Sequence, residues 1–123
     1  MKTIKITLAA FLAATSLLAA GPALAHAKLV ASNPAANATL RSGPQSITLT
    51  FNERIVPAFS KFTIVMPAHD GMEVPVETMV TSDRKRIVGT LPRPLARGLY
   101  NVNWTAAGSD GHKMTGRLAF TVS

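Results

Sequence analysis

Beyond residue 25, the apolar positions of this chain recur every second residue rather than every third or fourth. In SITLTF (46–51), Ile47, Leu49 and Phe51 share one face, while Thr48 and Thr50 take the other. KFTIVM (61–66) repeats the pattern with Phe62, Ile64 and Met66, and LYNVNW (99–104) repeats it with Tyr100, Val102 and Trp104. RLAFTV (117–122) does so with Leu118, Phe120 and Val122. Alternation of this kind, built from β-branched and aromatic residues, marks strands covered on one side. Weaker strands are predicted around residues 28–32, 74–80 and 85–90. Turn signals separate them at Asn33-Pro34, Ser42-Gly43-Pro44, Asp70-Gly71, Ser82-Asp83, Arg97-Gly98 and Asp110-Gly111. About seven short strands at this spacing predict an all-β fold, a single antiparallel sandwich with Greek-key connections. There is no internal repeat and no linker.

The first 25 residues follow a different rule. Lys2 and Lys5 form a positive start, and an apolar run from Ile6 to Ala20 follows. Gly21-Pro22 ends it, and Ala23-Leu24-Ala25 has the small residues of an export cleavage site. The run is shorter than the roughly 20 apolar residues a permanent anchor needs. We expect residues 1–25 to be a secretory signal cut after Ala25, leaving one mature domain, 26–123, that begins at His26.

Charge and cysteine content narrow the classes further. The chain carries a net charge of +7 with 13 Lys+Arg against 6 Asp+Glu; removing Lys2 and Lys5 leaves 11 against 6, or +5. An exported domain whose basic run Arg84-Lys85-Arg86 has no aromatic interleaving is not expected to bind nucleic acid. With no cysteine, neither disulfides, thiolate nucleophiles nor zinc–thiolate sites are open to it. No GxSxG elbow is present for a serine hydrolase.

The three histidines, His26, His69 and His112, all lie beyond the predicted cut. A histidine at a free N-terminus offers its α-amino nitrogen and its ring Nδ1 to the same ion, closing a six-membered chelate. A second imidazole roughly opposite completes a three-nitrogen T, the histidine brace, and tetragonal coordination of this kind suits Cu(II). His112, in SDGHKMTG, is the candidate for that second imidazole. Asp110 stands two residues before it, and Gly111 permits a turn tight enough to bring both side chains to one side. Asp110 is then either a direct oxygen ligand or a group that orients a ligand by hydrogen bonding. The plain alternative is an ordinary turn in which Asp110 bonds its own backbone. Glu53, at the end of LTFNE, either approaches the ion from a neighbouring strand or faces solvent.

The stretches HAKLVASNPAANATL (26–40), ITLTFNERI (47–55) and GLYNVNWTAAGSDGHKMTGRLAFTV (98–122) resemble the CopC family of periplasmic copper-resistance proteins. The resemblance implies a seven-stranded, cupredoxin- or immunoglobulin-like barrel or sandwich in the periplasm. It also implies Cu(II), one per chain, with the copper ligands falling on His26, Asp110 and His112. A monomeric copper carrier for tolerance, buffering or delivery is the expected function, rather than an enzyme. An inner-membrane copper transporter or another periplasmic copper protein would be its partner. The alternatives are a copper-brace oxidase of the lytic polysaccharide monooxygenase type and a metal-free immunoglobulin-like interaction module. The segment MPAHDGMEVPVETM raises a second question, because Met66, His69, Met72 and Met79 could hold Cu(I). The register of Met66 with Phe62 and Ile64 instead points it into the core, and the expected role of this segment is core and loop.

Overall fold

A computed structural model describes residues 26–123, so the expected secretory signal, residues 1–25, and its cut after Ala25 lie outside the described residues. The strands in chain order are β1 (Leu29–Asn33), β2 (Thr39–Leu40), β3 (Ser46–Phe51), β4 (Lys61–Met66), β5 (Met72–Val74), β6 (Glu77–Val80), β7 (Arg86–Thr90), β8 (Gly98–Ala107) and β9 (Lys113–Val122). They form two facing sheets, one ordered β1-β3-β7-β6 and the other β2-β9-β8-β4-β5. All pairings are antiparallel except that of β2 with β9. This is the expected all-β sandwich. Among the described residues, no helix is long and apolar enough to cross a membrane.

The alternating faces meet between the sheets. Ile47, Leu49 and Phe51 of β3 are buried, as are Phe62, Ile64 and Met66 of β4. Tyr100, Val102 and Trp104 of β8 and Leu118, Phe120 and Val122 of β9 complete the set. Removing these side chains from water is the main stabilising contribution, at about 1.5–3 kcal/mol for each large apolar residue. Phe51 and Trp104 meet edge to face with centroids 5.2 Å apart, and Tyr100 stacks on Phe120 at 5.5 Å. The indole lies across Gly116, its cross-strand partner, where any larger side chain would collide with the ring. The Tyr100 hydroxyl donates to the Ala96 carbonyl at 2.6 Å, pinning the chain where it enters β8. Burial pushes that phenol above its ordinary pKa.

The strand count differs from the expected seven for a local reason. The run 74–80 is two strands: β5 pairs with β4 in one sheet and β6 with β7 in the other. Pro75 sits between them and has no N–H to continue a ladder, so the chain crosses between sheets there. The two-residue β2 is too short to show any periodicity.

Candidate metal centre

The longest ladder in the molecule positions the site. Strands β8 and β9 pair over ten registered positions, from Gly98↔Val122 to Ala107↔Lys113. The turn Gly108–His112 caps this hairpin, closed by Gly111 N–H donating to Gly108 O (2.9 Å) and Gly108 N–H to His112 O (3.2 Å). Gly111 adopts φ 84°, a left-handed conformation that a side chain would strain, as expected for this tight turn. The β3–β4 connection packs against the turn through the bridge Ile55↔Gly108 and the bond from Val56 N–H to Ala107 O (2.8 Å).

The start of the domain is tied to the same end. Lys28 N–H donates to Asn52 Oδ1 (2.8 Å) and Asn52 N–H returns to Lys28 O (3.0 Å). Ala27 is buried. These contacts hold His26 beside the Gly108–His112 turn. Residues 26 and 112 are 86 positions apart, yet their rings lie edge to face with centroids 5.2 Å apart and planes at 66°.

Asp110 links the two rings. Its Oδ2 is 2.9 Å from His112 Nδ1 and 3.8 Å from His26 Nδ1, while its Oδ1 accepts from the His112 backbone N–H at 3.0 Å. The backbone bond, then the ring bond, hold the Asp110 carboxyl below the usual carboxylate range. Asp110 is therefore an anion at neutral pH, and His112 Nδ1 is the donor in their shared hydrogen bond. That leaves the His112 Nε2 lone pair free for a ligand, an arrangement common to metal-binding histidines. The turn bond of the plain alternative is present, and it does not exclude a ligand role: Asp110 bonds the backbone through one oxygen and faces both imidazoles with the other.

Donor atoms of His26, Asp110 and His112 all lie within 4.8 Å of one another. One of them is unusual. His26 Nδ1 is buried and has no hydrogen-bond partner among the described residues. An unsatisfied buried polar atom costs about 1–3 kcal/mol. Coordination of an ion would remove that cost, so the donor set fits a metal.

Glu53 does not simply face solvent. It is half-buried, and its Oε1 and Asp110 Oδ1 both converge on Gly108. A methyl group there would sit 2.6 Å from the first and 3.2 Å from the second. Nothing in the sequence around Gly108 signals this, since it depends on three separated segments meeting. The exposed Phe59, with Lys113 Nζ 5.1 Å from its ring centroid, is a second feature of this end not visible in the sequence.

The methionine segment lies elsewhere. Met66 is buried in the core, while Met72 and Met79 are exposed on β5 and β6, in different sheets. His69 follows β4 on an exposed turn, Pro67–His69. Because Lys61, at the start of β4, pairs with Thr105 near the metal end, the six residues of β4 separate His69 from that end by about 17 Å. The arrangement favours core and loop over a single thioether site.

Residues 29–123 match the CopC domain model. The chain belongs to the CopC family. It is 40% identical over 114 residues to copper resistance protein C of Pseudomonas syringae pv. tomato, covering 89% of this chain and 90% of that one. It is 36% identical over 110 residues to the Xanthomonas campestris pv. juglandis protein of the same name, covering 85% and 86%. The crystal structure of PcoC, a methionine-rich copper resistance protein from Escherichia coli, superposes with a TM-score of 0.72 at 34% identity. That superposition covers 80% of this chain and 100% of PcoC. The CopC domain match begins three residues after His26, so it does not depend on that residue.

Proposed function

We propose that this CopC-family chain, cut after Ala25 and released to the periplasm, binds one Cu(II) and serves copper tolerance, buffering or delivery without catalysing a reaction. The α-amine and Nδ1 of His26 chelate the ion, and His112 Nε2 supplies the third nitrogen. Asp110 either adds an oxygen or orients His112. The observation that carries this reading is the buried Nδ1 of His26, without a hydrogen-bond partner among the described residues, held 3.8 Å from an ionised carboxylate and beside a second imidazole. The export signal before His26, the names of the relatives and the tetragonal preference of Cu(II) for such donors support it further. A carboxylate among the donors would take a coordination position that oxygen needs, which favours a carrier over an oxygen-activating enzyme.

The test is a Cu(II) competition titration of protein that begins at His26. His26→Ala is expected to abolish tight binding, His112→Ala to weaken it strongly, and Asp110→Ala to weaken it by about 10- to 100-fold if its role is to orient His112. Wild-type affinity in a folded His26→Ala/His112→Ala double variant would overturn the assignment.

A further inference from the structure

The loops that build the metal centre carry an electrostatic bias that copper binding itself does not require. Four segments converge at this end: residues 26–28, the β3–β4 connection, the β6–β7 turn and the Gly108–His112 turn with Lys113. Interlocking backbone bonds join them, including Ile55 N–H to Arg84 O (2.7 Å) and Phe51 N–H to Lys85 O (2.8 Å). With the strand-end residues Lys61 and Arg86, they hold seven of the eleven Lys and Arg of residues 26–123 but three of the six acids. Those acids are engaged locally. Asp83 accepts from Thr81 Oγ1 and Lys85 N–H, Asp110 is bonded to His112, and Glu53 packs at Gly108.

A site shaped to draw the free Cu(II) ion from solution would be ringed with carboxylates, because a field of one sign concentrates the opposite charge. The segments that build this one carry more ammonium and guanidinium groups than carboxylates, a balance that repels an approaching cation. Beside the site, Arg54, Arg84 and Ser109 line a cleft of about 280 Å³ whose remaining lining is Ile55 and Val56. Two arginines and two aliphatic residues lining one cleft suit a carboxylate on an aliphatic stem, for which arginine offers bidentate hydrogen bonding. On the other flank stands Phe59, 54% exposed, with Lys113 over its ring. An exposed aromatic beside cationic side chains is the composition of a protein-binding surface.

We infer that the metal end of the domain is a docking face for a protein that presents Asp and Glu side chains around its own copper site, with Arg54 and Arg84 receiving a carboxylate. The inference rests on the copper reading above and adds the chemistry of the exchange partner. Copper then moves between docked proteins, guided by complementary charge, rather than being gathered as the free ion.

The probe is a fluorescein-labelled octa-glutamate peptide, with octa-glutamine as its neutral control, titrated against metal-free protein 26–123 at low and at physiological ionic strength. We expect octa-glutamate to bind, octa-glutamine not to bind, and the difference to shrink as salt screens the charges. Location is decided by two variants that lose the same charge. Arg54→Gln/Arg84→Gln should weaken peptide binding by about 5-fold or more, while Arg41→Gln/Arg117→Gln, just beyond β2 and on β9 respectively, should change it less than about 2-fold. Equal losses in the two variants would overturn the inference, as would binding to anionic phosphatidylglycerol vesicles stronger than to the peptide, which would make the face a membrane contact. Peptide binding needs no copper, so these results bear on the docking face alone. Failure of Cu(II) uptake would bear on the metal reading alone.

Discussion

Gly108→Ala tests the geometry of the centre without touching any proposed ligand. The added methyl would lie 2.6 Å from Glu53 Oε1 and 3.2 Å from Asp110 Oδ1. Carbon–oxygen contacts of that length cannot persist, so the Glu53 carboxylate must swing away and Asp110 must yield by a few tenths of an ångström. The Asp110 oxygen concerned accepts the His112 N–H bond at 3.0 Å, so its displacement loosens the orientation of both Asp110 and the imidazole it supports. Disturbing such an orienting contact typically costs 10- to 100-fold in metal affinity, equivalent to about 1.4–2.7 kcal/mol. The fold should tolerate the change. Gly108 is not among the residues at positive φ, and alanine at an ordinary φ gains about 0.4–1 kcal/mol through the unfolded chain. Overpacking offsets this by about 1–3 kcal/mol. Urea unfolding of metal-free protein should therefore shift by no more than about 2.6 kcal/mol, while a chelator competition shows weaker Cu(II) binding. A folded Gly108→Ala protein with wild-type Cu(II) affinity would refute the placement of copper beside these carboxylates.

Two further predictions concern stability. Tyr100→Phe removes the bond to the Ala96 carbonyl and should lower the urea-unfolding free energy by about 1–2 kcal/mol, leaving Cu(II) affinity unchanged. Asp83 is held below its ordinary carboxylate range by the Thr81 hydroxyl first and the Lys85 N–H second. A depressed native pKa stabilises the fold above the unfolded value and is lost as the pH falls through the native one. Asp83→Asn should consequently be less stable than wild type at neutral pH and match it in strong acid; a difference independent of pH would contradict this.

Much of the fold was legible because a strand buried on one side must alternate. β3, β4, β8 and β9 each bury the residues their pattern nominates. The division of the 74–80 run between the two sheets was not legible from alternation, since neither half is long enough to show a period. Asp110 and His112 stood out because two ligand types flanking a glycine turn are a local arrangement. His26 stood out through the chemistry of a terminal histidine. What no local pattern carries is convergence. Glu53, Gly108, Phe59 and the Arg54–Arg84 cleft lie at the same end as His26, Asp110 and His112 only because Ile55 bridges to Gly108 and bonds to the Arg84 carbonyl.

The central claim is that the first mature residue grips the ion with both its amine and its ring, and one measurement addresses it directly. Cu(II) affinity is compared between protein beginning at His26 and the same protein carrying a single additional alanine before His26. The extra residue converts the amine to an amide, removing one ligand and the chelate ring while leaving all three side chains in place. We expect tight, nitrogen-rich, tetragonal Cu(II) binding by the first protein and far weaker binding by the second. Equal affinity and identical EPR parameters in the two would contradict it.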